Sequence, residues 1–368
     1  MSADFINLFM LTRLTRSDNW LCLAAQIHCL MKLSQPLRSK IERPYLPVKA
    51  SLPQPSSSPE QCANDLAQQG YCLLREALTV EQLEKLRIRL TEQALAEKQK
   101  GFAFQDGGPS QNWGDFRDSA GELRPQEFTE AQGGRNQRVW MLVNKGAVFL
   151  DLLKHTATRE LVTGLLGDHY LLSSHTANIA NPGGVAMRLH TDQWWMPPPT
   201  RIGRAGLPVG SMSRELFDQD SESTGAISPP VAVNILWMLD EFTESNGGTR
   251  VVPESHLSGR QPDSTAKSIA ATGPAGTALI CDGRIWHGTG ANNTKTPRRA
   301  VLTTFCTPQF RPQENYTVGT RQEVLDTANS DLLELLGFKI WHAYGRTGHP
   351  TDNYIAREKI PLGELIPD

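Results

Sequence analysis

The sequence predicts an α+β fold with a mainly β core, a β-sandwich or jelly roll, and with its helices gathered on the N-terminal side. Three observations carry this. Helical periodicity is confined to the chain before residue 167, and the runs that follow are short, β-compatible and separated by Gly/Pro turns. The 368 residues include 30 glycines and 24 prolines, a loop-rich composition that suits many short strands better than a helical bundle. Apolar content of 39% and charged content of 21% are those of an ordinary globular chain of one domain with extensions.

Residues 1–59 read as an N-terminal extension that ends in a Pro/Ser-rich linker over 46–59 and is poorly ordered, with the folded domain over 60–368. The first 40 residues set Arg13, Arg16, Lys32, Arg38 and Lys40 against Asp4 and Asp18. A transit peptide, an irregular extension and a start placed too early all fit that pattern. Thr79-Val80-Glu81-Gln82 is a capping box, and Leu83, Leu86, Leu90 and Ala94 follow on one helical face, so an amphipathic helix covers the sheet here. A second helix is expected over Val148–Leu166, stopping at Gly167.

Strands follow. Tyr170–Ile179 is β-compatible and ends at the turn Asn181-Pro182-Gly183-Gly184. Val231–Leu239 reads as a buried strand, Glu244–Gly248 as a turn, and Thr249–Val252, Thr277–Ile280 and Ala300–Phe305 as further strands. Between them, 196–230 carries Pro197-Pro198-Pro199, several glycines and a polar stretch, and reads as a lid-like insert. Arg201, Arg204 and Arg214 within it fit either a solvated surface or an anion site.

Composition excludes several classes. A net charge of -2 gives no basic face for nucleic acid. No apolar run reaches the roughly 18 residues that span a bilayer. The six cysteines, Cys22, Cys29, Cys62, Cys72, Cys281 and Cys306, form no CxxC pair, so reduced thiols in the cytoplasm are expected rather than a disulfide or zinc scaffold.

The chemistry sits in three places. His190-Thr191-Asp192 follows a strand-like segment, and on an extended chain residues i and i+2 point the same way, so one segment offers an imidazole and a carboxylate to one ion. His287 comes far downstream, after Ala278–Cys281 and the turn Asp282-Gly283. Two histidines and one carboxylate on one face of iron leave three positions open, which is the donor set of non-haem Fe(II) oxygenases. Eleven residues after His287 comes Arg298, a partner for a dicarboxylate.

At these residues the sequence resembles the phytanoyl-CoA dioxygenase family. The matching stretches are Leu189-His190-Thr191-Asp192-Gln193, then Asn246-Gly247-Gly248-Thr249-Arg250-Val251-Val252-Pro253-Glu254-Ser255-His256, then His287-Gly288-Thr289-Gly290 leading to Pro297-Arg298, in order between about residue 60 and about residue 310. They are most similar to the family's microbial and fungal branch, with natural-product-like substrates. The resemblance implies a double-stranded β-helix core, Fe(II), 2-oxoglutarate as co-substrate and O2. It implies metal ligation by His190, Asp192 and His287, and co-substrate contacts from Arg298, Thr289 and Asn178. It also implies a small lipid-like or secondary-metabolite substrate, hydroxylated by default, with desaturation and epoxidation open to the same chemistry. Two positions depart from the pattern: Met187 stands where many relatives carry Gln, and Glu254 where a turn glycine is usual.

Other conspicuous residues have plainer readings. His256 belongs to a turn after a core strand, and His169 and His175 read as satisfied strand or loop histidines. Trp194 and Trp195 read equally as the apolar wall of a substrate pocket and as core packing. The rival function is a cupin-type metal-binding β-barrel without 2-oxoglutarate-dependent activity, which would need no dicarboxylate anchor.

Overall fold

A computed structural model describes residues 51–106, 135–196, 226–263, 265–348 and 353–357, with isolated positions between and after them. The chain divides into two compact units, Met1–Ala50 and Ser51–Asp368, and every described residue lies in the second. The second unit therefore begins within the stretch expected as linker. Ser56 donates its N–H to the Leu73 carbonyl at 2.9 Å, and Ser58 caps the first helix.

The helical layer comes first. Helix α1 (Pro59–Gln69) precedes strand β1 (Tyr71–Leu74), and α2 (Val80–Gln99) opens on the expected Thr79/Gln82 capping box. Strands β2 (Phe104–Asp106) and β3 (Asn136–Val139) follow. The single helix expected over 148–166 is two helices, α3 (Ala147–Leu152) and α4 (Thr156–Leu166). His155 makes the break: it is extended, its ring accepts the Thr158 N–H, and it stacks edge-on against Trp237 at 5.3 Å. No glycine or proline marks this interruption. Gly167 ends α4 with φ at 87°, as expected.

The β core holds β4 (Leu171–Ala180), β5 (Ala232–Met238), β6 (Thr249–Val252), β7 (Ile269–Ala270), β8 (Ala278–Asp282), β9 (Trp286–Thr289) and β10 (Arg298–Cys306). Two antiparallel sheets result among the described residues. The larger has the order β1-β8-β5-β10-β4-β3-β2, and the smaller β7-β6-β9. Short helices α5 (Tyr316–Gly319), α6 (Gln322–Leu325) and α7 (Ser330–Leu335) follow β10.

Alternation along the strands gives the large sheet two buried faces. Val233, Ile235, Trp237, Val301 and Phe305 point outward and pack with Leu86, Leu90, Phe149, Leu161 and Val162 of the helices. Tyr71, Leu73, Leu236, Met238, Leu279 and Ala300 point inward and pack with Val251 and Ile285 of the smaller sheet's side. The fold is thus mainly β and antiparallel, with helices on one face. No helix among the described residues is long and apolar enough to cross a membrane. Cys62, Cys72, Cys281 and Cys306 are buried free thiols. Cys22, Cys29, most of the insert expected over 196–230, and Arg201, Arg204 and Arg214 lie outside the described residues.

Candidate metal centre

His190 and His287 are locked together through their backbones. Each donates its N–H to the other's carbonyl at 2.9 Å, an antiparallel bridge on the edge of β9 that faces away from β6. The two rings face each other with centroids 4.5 Å apart. Asp192, one turn residue further, is held by its N–H on the Gly283 carbonyl at 2.9 Å. Gly283 itself sits against β5, where an added Cβ would come 2.7 Å from the Ala232 carbonyl oxygen, so the loop that anchors Asp192 needs a glycine.

The side chains converge. One ligand atom from each of His190, Asp192 and His287 lies within 4.8 Å of the other two. His190 Nε2 is 3.6 Å from Asp192 Oδ1, and His287 Nε2 is 3.3 Å from Oδ2. Nδ1 of His190 lies 3.0 Å from the Arg188 carbonyl, and Nδ1 of His287 lies 3.1 Å from the Ile285 carbonyl. A carbonyl only accepts, so it assigns the proton to each Nδ1 and leaves each Nε2 with a lone pair toward the common centre. Two neutral imidazoles and a carboxylate, so aimed, fit a divalent iron ion.

Asn234 was not foreseen. Its Nδ2 donates to Asp192 Oδ2 at 2.5 Å. The sequence does carry a signal, since Asn234 is the lone polar residue of the run Val231–Leu239. Nothing in one sequence tells which loop it reaches.

The other expected residues fall as follows. Arg298 is 2% exposed, its Nη2 donates to the Gly247 carbonyl at 2.6 Å, and its guanidinium lies 4.5 Å from the Phe242 ring centroid. It shares the inner face with Ala300 and the half-buried Leu302. Arg299 points the other way, its Nε and Nη2 donating to Asp240 at 2.9 and 2.8 Å and its Nη1 to Thr91 of α2 at 3.0 Å. Burial alone would raise the Asp240 carboxyl, but the Arg299 hydrogen bonds and charge outweigh it and hold the group below the usual range. Asn178 Nδ2 donates to Thr289 Oγ1 at 3.3 Å, so these two meet across the interior.

Trp194 and Trp195 meet edge-on with ring centroids 6.3 Å apart. Trp194 lines a small, open cleft with Thr191, Gln193, His256 and Arg284, which none of the three converging residues lines. Trp195 stacks edge-on against Phe310 at 5.9 Å. His256 stands apart from the His190 cluster, buried, with Nε2 3.2 Å from the Ala67 carbonyl. Glu254, in place of the turn glycine, adopts φ of 65°, the left-handed conformation glycine would take freely. His169 is exposed beside Glu334, and His175 is fully buried in the outer layer.

The chain is similar to several known proteins. A dioxygenase of Aspergillus fumigatus, af480, is 30% identical over 209 residues, which span 55% of this chain and 58% of that protein. The dioxygenase trt7 of Aspergillus terreus is 23% identical over 291 residues, covering 77% of this chain and 86% of its own. Among solved structures, HygX from Streptomyces hygroscopicus with nickel and 2-oxoglutarate bound aligns at 14% identity and a TM-score of 0.47, over 68% of this chain and 88% of its own. The profile of the family Phytanoyl-CoA dioxygenase (PhyH) matches residues 66–300, from within α1 to the start of β10. That span encloses His190, Asp192, Asn234, His287 and Arg298 in one continuous match, and the chain belongs to the phytanoyl-CoA dioxygenase family.

Proposed function

We propose that this protein is a non-haem Fe(II)- and 2-oxoglutarate-dependent oxygenase built on a double-stranded β-helix. On this reading it hydroxylates a small organic substrate, lipid-like or of secondary metabolism, in the cytoplasm, and releases succinate and CO2. The observation that carries the reading is the convergence of two Nδ1-anchored imidazoles and one carboxylate on a common point. Support also comes from family membership and from the dioxygenase names of its relatives. When bound, the iron supplies the one-electron O2 chemistry that couples decarboxylation of 2-oxoglutarate to oxidation of the substrate.

The chain's own residues do the rest. His190 and His287 would hold the ion through Nε2, and Asp192 through one oxygen while Asn234 holds the other. A carboxylate tied in this way would offer the ion its other oxygen, and a two-histidine, one-carboxylate set would leave room for co-substrate and O2. Arg298, buried on the inner face, would pair with the far carboxylate of 2-oxoglutarate. Thr289 and Asn178, already in contact, would line that end of the co-substrate. Trp194 and Trp195 would wall the substrate side and exclude water. A cupin-type metal barrel without co-substrate is the alternative, and the buried Arg298 on the triad's side of the sheet disfavours it.

The test is iron content and succinate formation after anaerobic loading with Fe(II) and 2-oxoglutarate. His190→Ala and His287→Ala should each lose bound iron and succinate formation. His256→Ala should keep iron and lose stability. If His256→Ala loses iron while His287→Ala retains it, the ligand assignment fails.

A further inference from the structure

The inner face of the large sheet changes character along its strands. Near Arg298 it carries Met238, Ala300 and Leu236, with Asn178 bonded to Thr289. Toward the other end three polar residues lie side by side across β5, β10 and β4. Asn234 is the cross-strand partner of Thr304, and Thr304 of Ser174. Thr176 is two residues along β4 from Ser174, on the same face. The face is fixed by Asn234, whose amide meets Asp192, and by Val233, Val301, Phe305 and Ala177, which point outward.

Ser174, Thr176 and Thr304 are 6%, 8% and 7% exposed, yet none of their hydroxyls makes a hydrogen bond to any described residue. Their immediate neighbours on the outward side are satisfied. Thr303 takes the Trp237 indole N–H at 3.1 Å and meets His175 at 3.0 Å, and Ser173 accepts the Gln313 N–H at 3.2 Å. The side chains are nearly buried, but their oxygens retain surface that a water or a ligand can reach. Three neighbouring hydroxyls that face reachable space and spend no bond on the protein, one strand from the Asn234 that touches Asp192, can bond an external partner. Each is neutral and each both donates and accepts.

We propose that Thr304, Ser174 and Thr176 form the polar floor of the substrate site and grip a neutral, oxygen-bearing edge of the substrate. Alcohol, ketone or ester oxygens suit such a floor. A bare hydrocarbon leaves it unsatisfied, and an anion finds no compensating charge among these three. Gripping that edge one strand from Asn234 suspends the adjacent carbon skeleton over Asp192 and the two histidines. This inference rests on the oxygenase reading for its site and adds the substrate class to it.

A matched pair of probes tests it: α-tetralone, which carries one carbonyl oxygen, and tetralin, which lacks it. Dissociation constants are measured by ligand-observed NMR on protein loaded anaerobically with Fe(II) and 2-oxoglutarate, and again on metal-free protein. Wild type should prefer the ketone. Thr304→Val and Ser174→Ala should each weaken ketone binding about threefold to tenfold, the worth of one hydrogen bond, and leave tetralin unchanged. Equal binding of the two probes by wild type, no binding of either, or a ketone preference that survives both substitutions overturns the proposal. Iron content is read on the same samples. Failure to bind iron sinks the oxygenase reading, while the ketone preference of the metal-free protein still decides the floor.

Discussion

Arg298 and Arg299 are adjacent and chemically identical, and the strand sends them to opposite faces. Arg298 enters the interior beside Phe242, and Arg299 ties β10 to Asp240 and α2. Arg298→Met should raise the apparent KM for 2-oxoglutarate by about a hundredfold, since losing one partner of a desolvated charge pair costs several kcal/mol. Iron binding should be nearly unchanged. Arg299→Met should leave that KM alone and lower stability instead, because Asp240 is left in a partly buried site without its main partner. Titrating 2-oxoglutarate against both variants decides the point, and the reverse pattern would place the co-substrate on the other face. The assignment of Arg298 inward was legible in sequence, because alternation is strict along a strand and Ala300 and Leu302 mark the inner side. Asn234 was legible only as an oddity. Its polarity shows in an apolar run, but its partner Asp192 is distant in sequence and reaches it only through the folded loop.

At the scale of elements, the boundary between α1 and β1 depends on one glycine. Gly70 has φ of 80°, closes α1 with its N–H on the Leu66 carbonyl at 3.1 Å, and accepts the Asp282 N–H at 2.9 Å. An added Cβ would stand 2.6 Å from His256 Nδ1. Gly70→Ala should therefore cost about 3 kcal/mol, from left-handed strain and the clash together. The cost with His256→Ala already present should be smaller by more than about 0.5 kcal/mol, because the two sites touch. Urea unfolding of the four proteins in that cycle measures the coupling, and strict additivity would mean the ring moves aside freely. Gly70 carries no sequence signal that separates it from any other helix-ending glycine. Elements with strong local chemistry were legible: the Thr79 capping box, the Gly167 stop, and strands β4 to β6, β8 and β10 to within two residues. Strands β2 and β3 were not, because Phe104-Gln105-Asp106 and Asn136-Gln137-Arg138-Val139 are short and largely polar. Their strand character comes from pairing, β3 with β4 and β2 with β3, a tertiary cause.

For the molecule as a whole, the order β1-β8-β5-β10 could not be read from sequence, since nothing local says that Tyr71 lies beside Cys281. That order brings the helices onto the outward face and seals His175 between them. The ring is fully buried, with Nε2 3.0 Å from the Phe149 carbonyl of α3 and Nδ1 3.0 Å from Thr303 Oγ1. The carbonyl only accepts, so Nε2 donates to it. Thr303 takes the Trp237 N–H and gives its own proton to Nδ1. This chain of bonds requires a neutral imidazole. Burial, partly opposed by the Phe149 carbonyl, lowers the His175 pKa from 6.5 to about 4. In the unfolded chain the same ring takes a proton near pH 6.5. Between pH 6.5 and about 4 the unfolded state therefore binds a proton that the folded state refuses. The stability is fully present above that window and falls as pH drops through it, by up to about 3 kcal/mol. Burial lowers His155 and His256 as well, and they add with the same sign. His175→Gln should be less stable at pH 7.5 but should lose less stability on acidification, its slope against pH shallower by up to one proton. Urea unfolding midpoints at intervals from pH 7.5 to 4.5 for both proteins give the difference. Parallel curves would mean that His175 accepts its proton without opening the helix–sheet interface.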